Sequence, residues 1–411
     1  MDSLTDSPGA RALRSEFGPG LYVHVPFCRR LCSYCDFYVV IGRESEHARF
    51  VDRVLGEAAR AKREVEWATP FRTLFLGGGT PSLLSARELT RLLEGLRATL
   101  PFAADLELSV EANPESIDEE RAMALRSVGV TRVSLGVQSM RDLELEQMAR
   151  PHTTAEVSRA MQQLRRAGIP SIAVDLIYGW PGSTVASLAE SADAVLDLAP
   201  DHVSAYLLTL EEKTSLGRQV RLGELAIPDE EVPVAQYDWL RGRLAADGFA
   251  QYEISNFARP GHASRHNQNY WLRGDYLGLG PAAHSHHRGH RWSNPRSLHR
   301  WGAAIDEGRV APEDEERIAP QGAVAELLFL GLRRTAGVEW KALAAELTHA
   351  QLESLRARVA RFVSEGWIEV DADRIRLAPR AYFISNAVLS ELLLELDALE
   401  WAEGQAARKE P

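Results

Sequence analysis

All three cysteines of the 411-residue chain fall within Cys28-Arg29-Arg30-Leu31-Cys32-Ser33-Tyr34-Cys35. Soft thiolate donors select iron–sulfur clusters, zinc or Cu(I) over hard ions, and the Cx3CxxC spacing suits iron–sulfur ligation. The ligand count narrows the choice. A structural zinc site takes four protein ligands, and a closed electron-transfer cubane takes four cysteines. With no fourth cysteine, a cubane held here leaves one iron open to an exogenous ligand. Two other readings stand beside it, three ordinary buried thiols and a zinc site completed by His24 or His47. Against zinc, Arg29 and Arg30 separate the first two ligands and no second CxxC pair follows. Disulfides are disfavoured because three is odd and no export signal precedes them.

The elements that must position this loop form a repeating pattern. From Leu21 to Leu210, short apolar runs alternate with helical stretches at roughly 30 residues per unit, the βαβ period. Six strands are expected, at Leu21 to Pro26, Thr73 to Leu76, Leu106 to Val110, Arg132 to Gly136, Ile172 to Ile177 and Val203 to Leu208. Helices are expected near Glu46 to Glu66, Ser85 to Leu100, Asp118 to Ser127, Thr154 to Ala167 and Ser187 to Leu198. Ser85 with Glu88 reads as a capping box, Ser116 or Asp118 as a cap, and Gly129 and Gly168 as left-handed helix ends.

Parallel strands of this kind carry function at their carboxyl ends. There stand the cysteine loop, Gly77-Gly78-Gly79-Thr80-Pro81-Ser82, Glu111-Ala112-Asn113-Pro114, Val137-Gln138-Ser139, and Asp175 running into Tyr178-Gly179-Trp180-Pro181-Gly182. Each alone is an ordinary turn; their recurrence at one end points to a single convergent site. The fold class is α/β, an open six-unit partial barrel.

Composition is that of an ordinary globular protein. Acidic residues outnumber basic ones 58 to 47, a net charge of −11, so no global field attracts nucleic acid or anionic membrane. No stretch approaches the ~18 apolar residues of a membrane span. Met1 to Gly20 lacks the features of a signal peptide and reads as a loose tail. An oxygen-sensitive cluster without disulfides points to the cytoplasm.

The order His24-Val25-Pro26-Phe27-Cys28, Cys32, Cys35-Asp36-Phe37, Gly77 to Ser82, Glu111 to Pro114, Gly136 to Ser139 and Asp175 to Gly179 resembles the coproporphyrinogen III oxidase-like branch of radical S-adenosylmethionine (SAM) proteins. His266-Asn267-Gln268-Asn269-Tyr270-Trp271 matches the HNxxYW motif of that branch's heme chaperones, the HemW family, and Tyr276 to Ser285 resembles its continuation. The likeness spans about residues 20 to 400. It implies a [4Fe–4S] cluster on Cys28, Cys32 and Cys35, with SAM on the fourth iron. It places Tyr22, Gly78, Gly79, Thr80, Glu111, Gln138, Arg150 and Asp175 at SAM, with Arg150 on the carboxylate and Phe37 beside the adenine. It assigns residues 1–19 to a tail, 20–215 to a radical SAM core, 216–311 to a connector, 312–400 to a C-terminal subdomain of the HemN type and 401–411 to a second tail.

Seven of the twelve histidines fall between His262 and His299, in what reads as an exposed polar loop. In a heme protein, His266 or His284 would be an axial ligand, with Tyr270 and Trp271 stacking on the porphyrin. Beyond Pro312 the pattern turns helical, with a hairpin around Asp371-Ala372-Asp373, resembling a winged helix. Arg356, Arg358 and Arg361 make only a modest basic face, so the subdomain reads as a lid or docking surface rather than a DNA reader. Two functions follow from the resemblance. The first is a heme chaperone delivering heme to respiratory hemoproteins, with homodimerisation and peripheral membrane docking left open. The second is an oxygen-independent coproporphyrinogen III oxidase of porphyrin biosynthesis, whose motif carries a further cysteine where this chain has Phe37.

Overall fold

In the computed structural model, which describes residues 17–309 and 312–397, six parallel strands form the centre of a twelve-stranded sheet. They are β1 (Gly20–Val25), β2 (Phe71–Gly78), β3 (Phe102–Ala112), β4 (Arg132–Gln138), β5 (Ser171–Tyr178) and β6 (His202–Leu207), paired in that order. Helices α1 (His47–Glu64), α2 (Ala86–Thr99), α3 (Glu119–Ser127), α4 (Asp142–Gln147), α5 (Thr154–Arg166) and α6 (Val185–Asp197) lie between them. The Ser85 and Glu88 capping box is present, Asp118 caps α3, and Gly129 and Gly168 take φ of 81° and 77°. The short helix α4 has no counterpart among the expected elements.

Strand alternation explains why the sheet curls around a cavity instead of a packed core. Leu21, Val23, Leu74, Leu76, Leu108, Val110, Val133, Leu135 and Val174 are fully buried, and burial of each such side chain favours the fold by about 1.5–3 kcal/mol. The intervening residues Tyr22, His24, Phe75, Glu111, Ser134 and Asp175 occupy the opposite face, and all of them line one cavity.

The connector differs most from expectation. After α7 (Ser215–Arg221) and α8 (Glu231–Ala246) it adds strands to both ends of the sheet. On one side β7 (Ala250–Gln251) and β8 (Asn256–Ala258) pair antiparallel beyond β6. Then α9 (Arg265–Trp271) packs against β2, and Glu107 of the neighbouring β3 accepts the backbone N–H groups of Arg265 and His266 at 2.9 and 3.0 Å. On the other side β9 (Tyr276–Leu279) runs parallel to β1, and β10 (His284–His287), β11 (His290–Ser293) and β12 (Asp314–Arg317) follow antiparallel. The histidine-rich stretch is therefore a strand pair, with His286 buried, and not an exposed loop. Glu57 of α1 clasps it, accepting from Gly280 N at 2.8 Å, Asn294 Nδ2 at 2.7 Å and Trp301 Nε1 of α10 (Leu298–Asp306) at 3.2 Å.

The C-terminal subdomain contains α11 (Pro320–Gly331), α12 (Trp340–Ala344), α13 (His349–Ser364) and α14 (Ser385–Asp397) around a small antiparallel sheet. That sheet places β15 (Arg374–Leu377) between β13 (Val338–Glu339) and β14 (Ile368–Val370), the winged-helix-like pattern. Its arginines are partnered internally, Arg356 with Glu353 and Arg361 with Glu391, which leaves little basic face for a phosphate backbone. The tail assigned to residues 1–19 lies outside the described residues except at 17–19, and that assigned to 401–411 lies wholly outside them.

Candidate functional site

The cysteine loop leaves the carboxyl end of β1 and is tied down by elements distant in sequence. Ser33 N donates to Met148 O at 3.0 Å, Ser33 Oγ to Gln147 O at 3.2 Å, and Leu216 N to Ser33 O at 2.8 Å. The three cysteines are free and half-buried. Burial pushes the Cys28 thiol up to about 11, and the neighbouring Cys35 and Cys32 push it the same way. Three thiolates this close need a cationic partner, so the donor set fits a metal cluster.

Neither histidine weighed for a zinc site is available to it. His24 meets Tyr22 Oη through Nδ1 and Tyr38 O through Nε2, both at 3.0 Å. His47 packs on Phe27 with ring centroids 4.3 Å apart and faces Glu88 at 3.7 Å. Among the described residues, no three His, Cys, Asp or Glu side chains are grouped to hold a single metal ion.

The glycine turn approaches the cysteine loop as closely as backbone allows. Gly78 takes φ of 109°, and a Cβ there would meet the His24 ring at 2.5 Å. Its N–H donates to Glu111 Oε2 at 2.9 Å. At Gly79 a Cβ would sit 2.6 Å from Phe27 O and 2.9 Å from Val25 O, backbone atoms that cannot step aside. Gly79→Ala should therefore lower stability by about 1–3 kcal/mol, read as a fall in Tm; an unchanged Tm would mean the turn has slack.

Arg150 is bound into the protein at the end of the barrel. The resemblance sets it on the carboxylate of SAM; in this structure it donates to Cys32 Sγ at 3.4 Å, Asn113 Oδ1 at 2.6 Å and Gly136 O at 2.7 Å, while its Nε is buried without a partner among the described residues. Gln138 follows a register shift in β4 and takes φ of 69°, an uncommon conformation for a non-glycine residue that re-aims its side chain at the strand end. Its Oε1 is buried and unpartnered, a polar group left for a ligand.

The cavity inside the barrel has a volume of about 840 Å³. Both groups of expected residues contribute to it. Tyr22, Gly78, Glu111 and Asp175 come from the SAM set, and His266, Tyr270, Trp271 and His284 from the heme set. Phe37 lines it too, 71 % exposed, and so presents an open ring. Burial, with the nearby Asp175 charge second, pushes Glu111 up to about 7. Burial also raises Asp175, against hydrogen bonds from Ser204 and Ser134.

The histidines divide by their partners. His266 has both nitrogens engaged, Nδ1 with Thr73 Oγ1 at 2.7 Å and Nε2 with Tyr270 Oη at 2.9 Å, and its ring stacks on Phe75. It is a strut in this conformation, and its complete burial lowers its pKa to about 3. His284, exposed, lines the cavity with no hydrogen-bond partner among the described residues; partial desolvation and Arg291 lower its pKa, against Asp314. His286, two residues along β10, lines it as well; its Nδ1 meets Gly274 O at 3.2 Å and its Nε2 is buried and unpartnered. Sequence reading passed over His286, although strand alternation from His284 would have found it.

Three thiols on a loop over an open parallel barrel with a ligand-lined interior define a radical SAM protein, and residues 22–195 match the Radical SAM superfamily. Residues 318–384 match the HemN C-terminal domain. Within that class the chain belongs to the HemW family. It is 36 % identical to heme chaperone HemW of Mycobacterium tuberculosis H37Rv, over 91 % of this chain and 94 % of that protein. To heme chaperone HemW of Bacillus subtilis it is 33 % identical, over 91 % and 99 % of the two chains. The solved coproporphyrinogen III oxidase (HemN) of Escherichia coli superposes with a TM-score of 0.80 at 22 % identity, over 97 % of this chain and 94 % of that one, which shows a shared fold.

Proposed function

We propose that the chain is a heme chaperone, holding heme in the barrel cavity and passing it to respiratory hemoproteins, with a [4Fe–4S] cluster on Cys28, Cys32 and Cys35 and SAM alongside. The observation that carries this reading is His284, an imidazole with no hydrogen-bond partner among the described residues and a lowered pKa, facing a cavity of about 840 Å³. Neutral imidazole is the ligating form, and pockets for molecules of this class run to about 1,000 Å³. Phe75, Tyr270, Trp271 and Leu330 supply apolar and aromatic wall. Arg296, whose guanidinium donates to Asp36 O at 3.4 Å, lines the cavity and is placed for a propionate. When bound, a cluster on three thiolates leaves one iron open to SAM and supplies one-electron chemistry there. Glu111, Asp175 and the Gly78 backbone are the polar groups of this chain that orient the cationic ligand.

Among the described residues no helix is long and apolar enough to cross a membrane. Cytoplasmic placement, the recipient hemoproteins and the oligomeric state belong to the same proposal. It is tested by titrating anaerobically reconstituted protein with heme. The parent should give a Soret band with micromolar or tighter binding, and His284→Ala should weaken binding at least tenfold without changing iron content. Coproporphyrinogen III should give no protoporphyrinogen IX, even with SAM and reductant; catalytic conversion would overturn the chaperone reading.

A further inference from the structure

Hydrogen bonds run in one direction from Arg150 to two of the three sulfurs. Arg150 Nη2 donates to Asn113 Oδ1 at 2.6 Å, and Asn113 Nδ2 donates to Thr80 Oγ1 at 3.0 Å. Thr80 Oγ1 lies 3.4 Å from Cys28 Sγ. A hydroxyl has one proton, and with the Asn113 amide occupying a lone pair that proton is free for the sulfur. A thiolate cannot donate, so once Cys28 is a ligand the direction is fixed. The second branch is direct, from Arg150 Nη1 to Cys32 Sγ at 3.4 Å. Asn113 is the hinge of the relay, because its amide accepts from the guanidinium through Oδ1 and donates to the hydroxyl through Nδ2. Glu115 backs the arginine; burial works to raise its carboxyl, but His152, with Nδ1 3.5 Å from Oε2, and Arg150 hold it low and therefore charged.

We propose that Asn113 is a positioning residue for the cluster ligands, fixing the relay that ends on Cys28 and Cys32 and thereby raising the reduction potential of the cluster they hold. Hydrogen bonds to ligand sulfur withdraw electron density and favour the more negative, reduced state. This inference rests on the cluster reading above, and the same experiment separates the two.

The test is redox titration of the reconstituted full chain, followed by electron paramagnetic resonance, with iron content measured on every sample. Asn113→Leu should keep its iron while its reduced-to-oxidised ratio at a fixed potential falls about tenfold, a one-electron shift of about 59 mV to more negative values. Thr80→Val should shift the same way, and Thr80→Ser, which keeps the hydroxyl, should stay at the parent value. Combining Asn113→Leu with Thr80→Val should add little beyond Asn113→Leu alone, since both cut one branch. An Asn113→Leu protein with full iron and the parent potential overturns the proposal, as does full additivity in the double variant. If Asn113→Leu fails to hold iron, Thr80→Val against Thr80→Ser decides, and equal potentials overturn it. A parent without iron overturns the cluster reading as well.

Discussion

Cys32→Ala is expected to abolish iron binding and the brown chromophore outright, leaving the fold in place. The chain has three thiols and no other, so removing one leaves two ligands for a cluster that needs three from the protein. Cys32 is the most telling position because its sulfur also accepts from Arg150. Its loss strips the guanidinium of that contact, yet Asn113 and Gly136 still hold it, so the barrel should survive. The checks are iron per chain after anaerobic reconstitution and circular dichroism of the same sample. Retention of a full iron complement, or a tightly held zinc with no iron in the parent, would refute the assignment.

The barrel was legible because its signals are local. Period-two strands with fully buried outward residues such as Val133 and Leu135, and capping residues such as Ser85, declare themselves within a few positions. The cysteine loop was legible for the same reason. What escaped depends on contacts between distant residues. Strands β9 to β12 are only four residues each, and β10 to β12 are polar, His284–His287 above all; they become strands because β1 offers an edge for β9 to extend. Helix α4 spans six residues with only Leu145 buried, too short to show a period. Nothing local links Arg150 to a sulfur 118 positions away, or reveals that both nitrogens of His266 are already occupied. Residue types at strand ends identified the site, whereas the partners that decide each residue's part in it required the fold.

SAM affinity is expected to rise with pH through about 7, and Glu111→Gln to weaken it roughly ten- to a hundredfold while flattening that rise. SAM carries a sulfonium and an ammonium against one carboxylate, a net cation. Burial raises the Glu111 carboxyl to about 7, so in the empty site near neutrality it is only partly charged. A cationic ligand favours the ionised form and drives the proton off, so binding strengthens as pH rises toward 7 and levels above it. The sign for the empty protein is opposite. A carboxyl raised on folding from its ordinary value of 4.5 to about 7 costs nothing below 4.5 and most above 7, so Glu111 lowers stability as pH rises between them. Glu57 and Glu253, also raised by burial to about 7, act in that same sense on stability, but neither lines the cavity and neither should alter binding. Glutamine at position 111 can still accept from Gly78 N and keeps the turn, so what it removes is charge. Losing one charged hydrogen bond costs about 1.5–3 kcal/mol, which is the stated range in affinity. Calorimetric titration of the cluster-loaded protein from about pH 6 to about pH 8 in buffers of different ionisation enthalpy would report the proton released on binding. Equal affinity and equal proton release in parent and Glu111→Gln would place the cationic ligand away from Glu111 and return this carboxylate to a purely structural part, held by the backbone of the glycine turn.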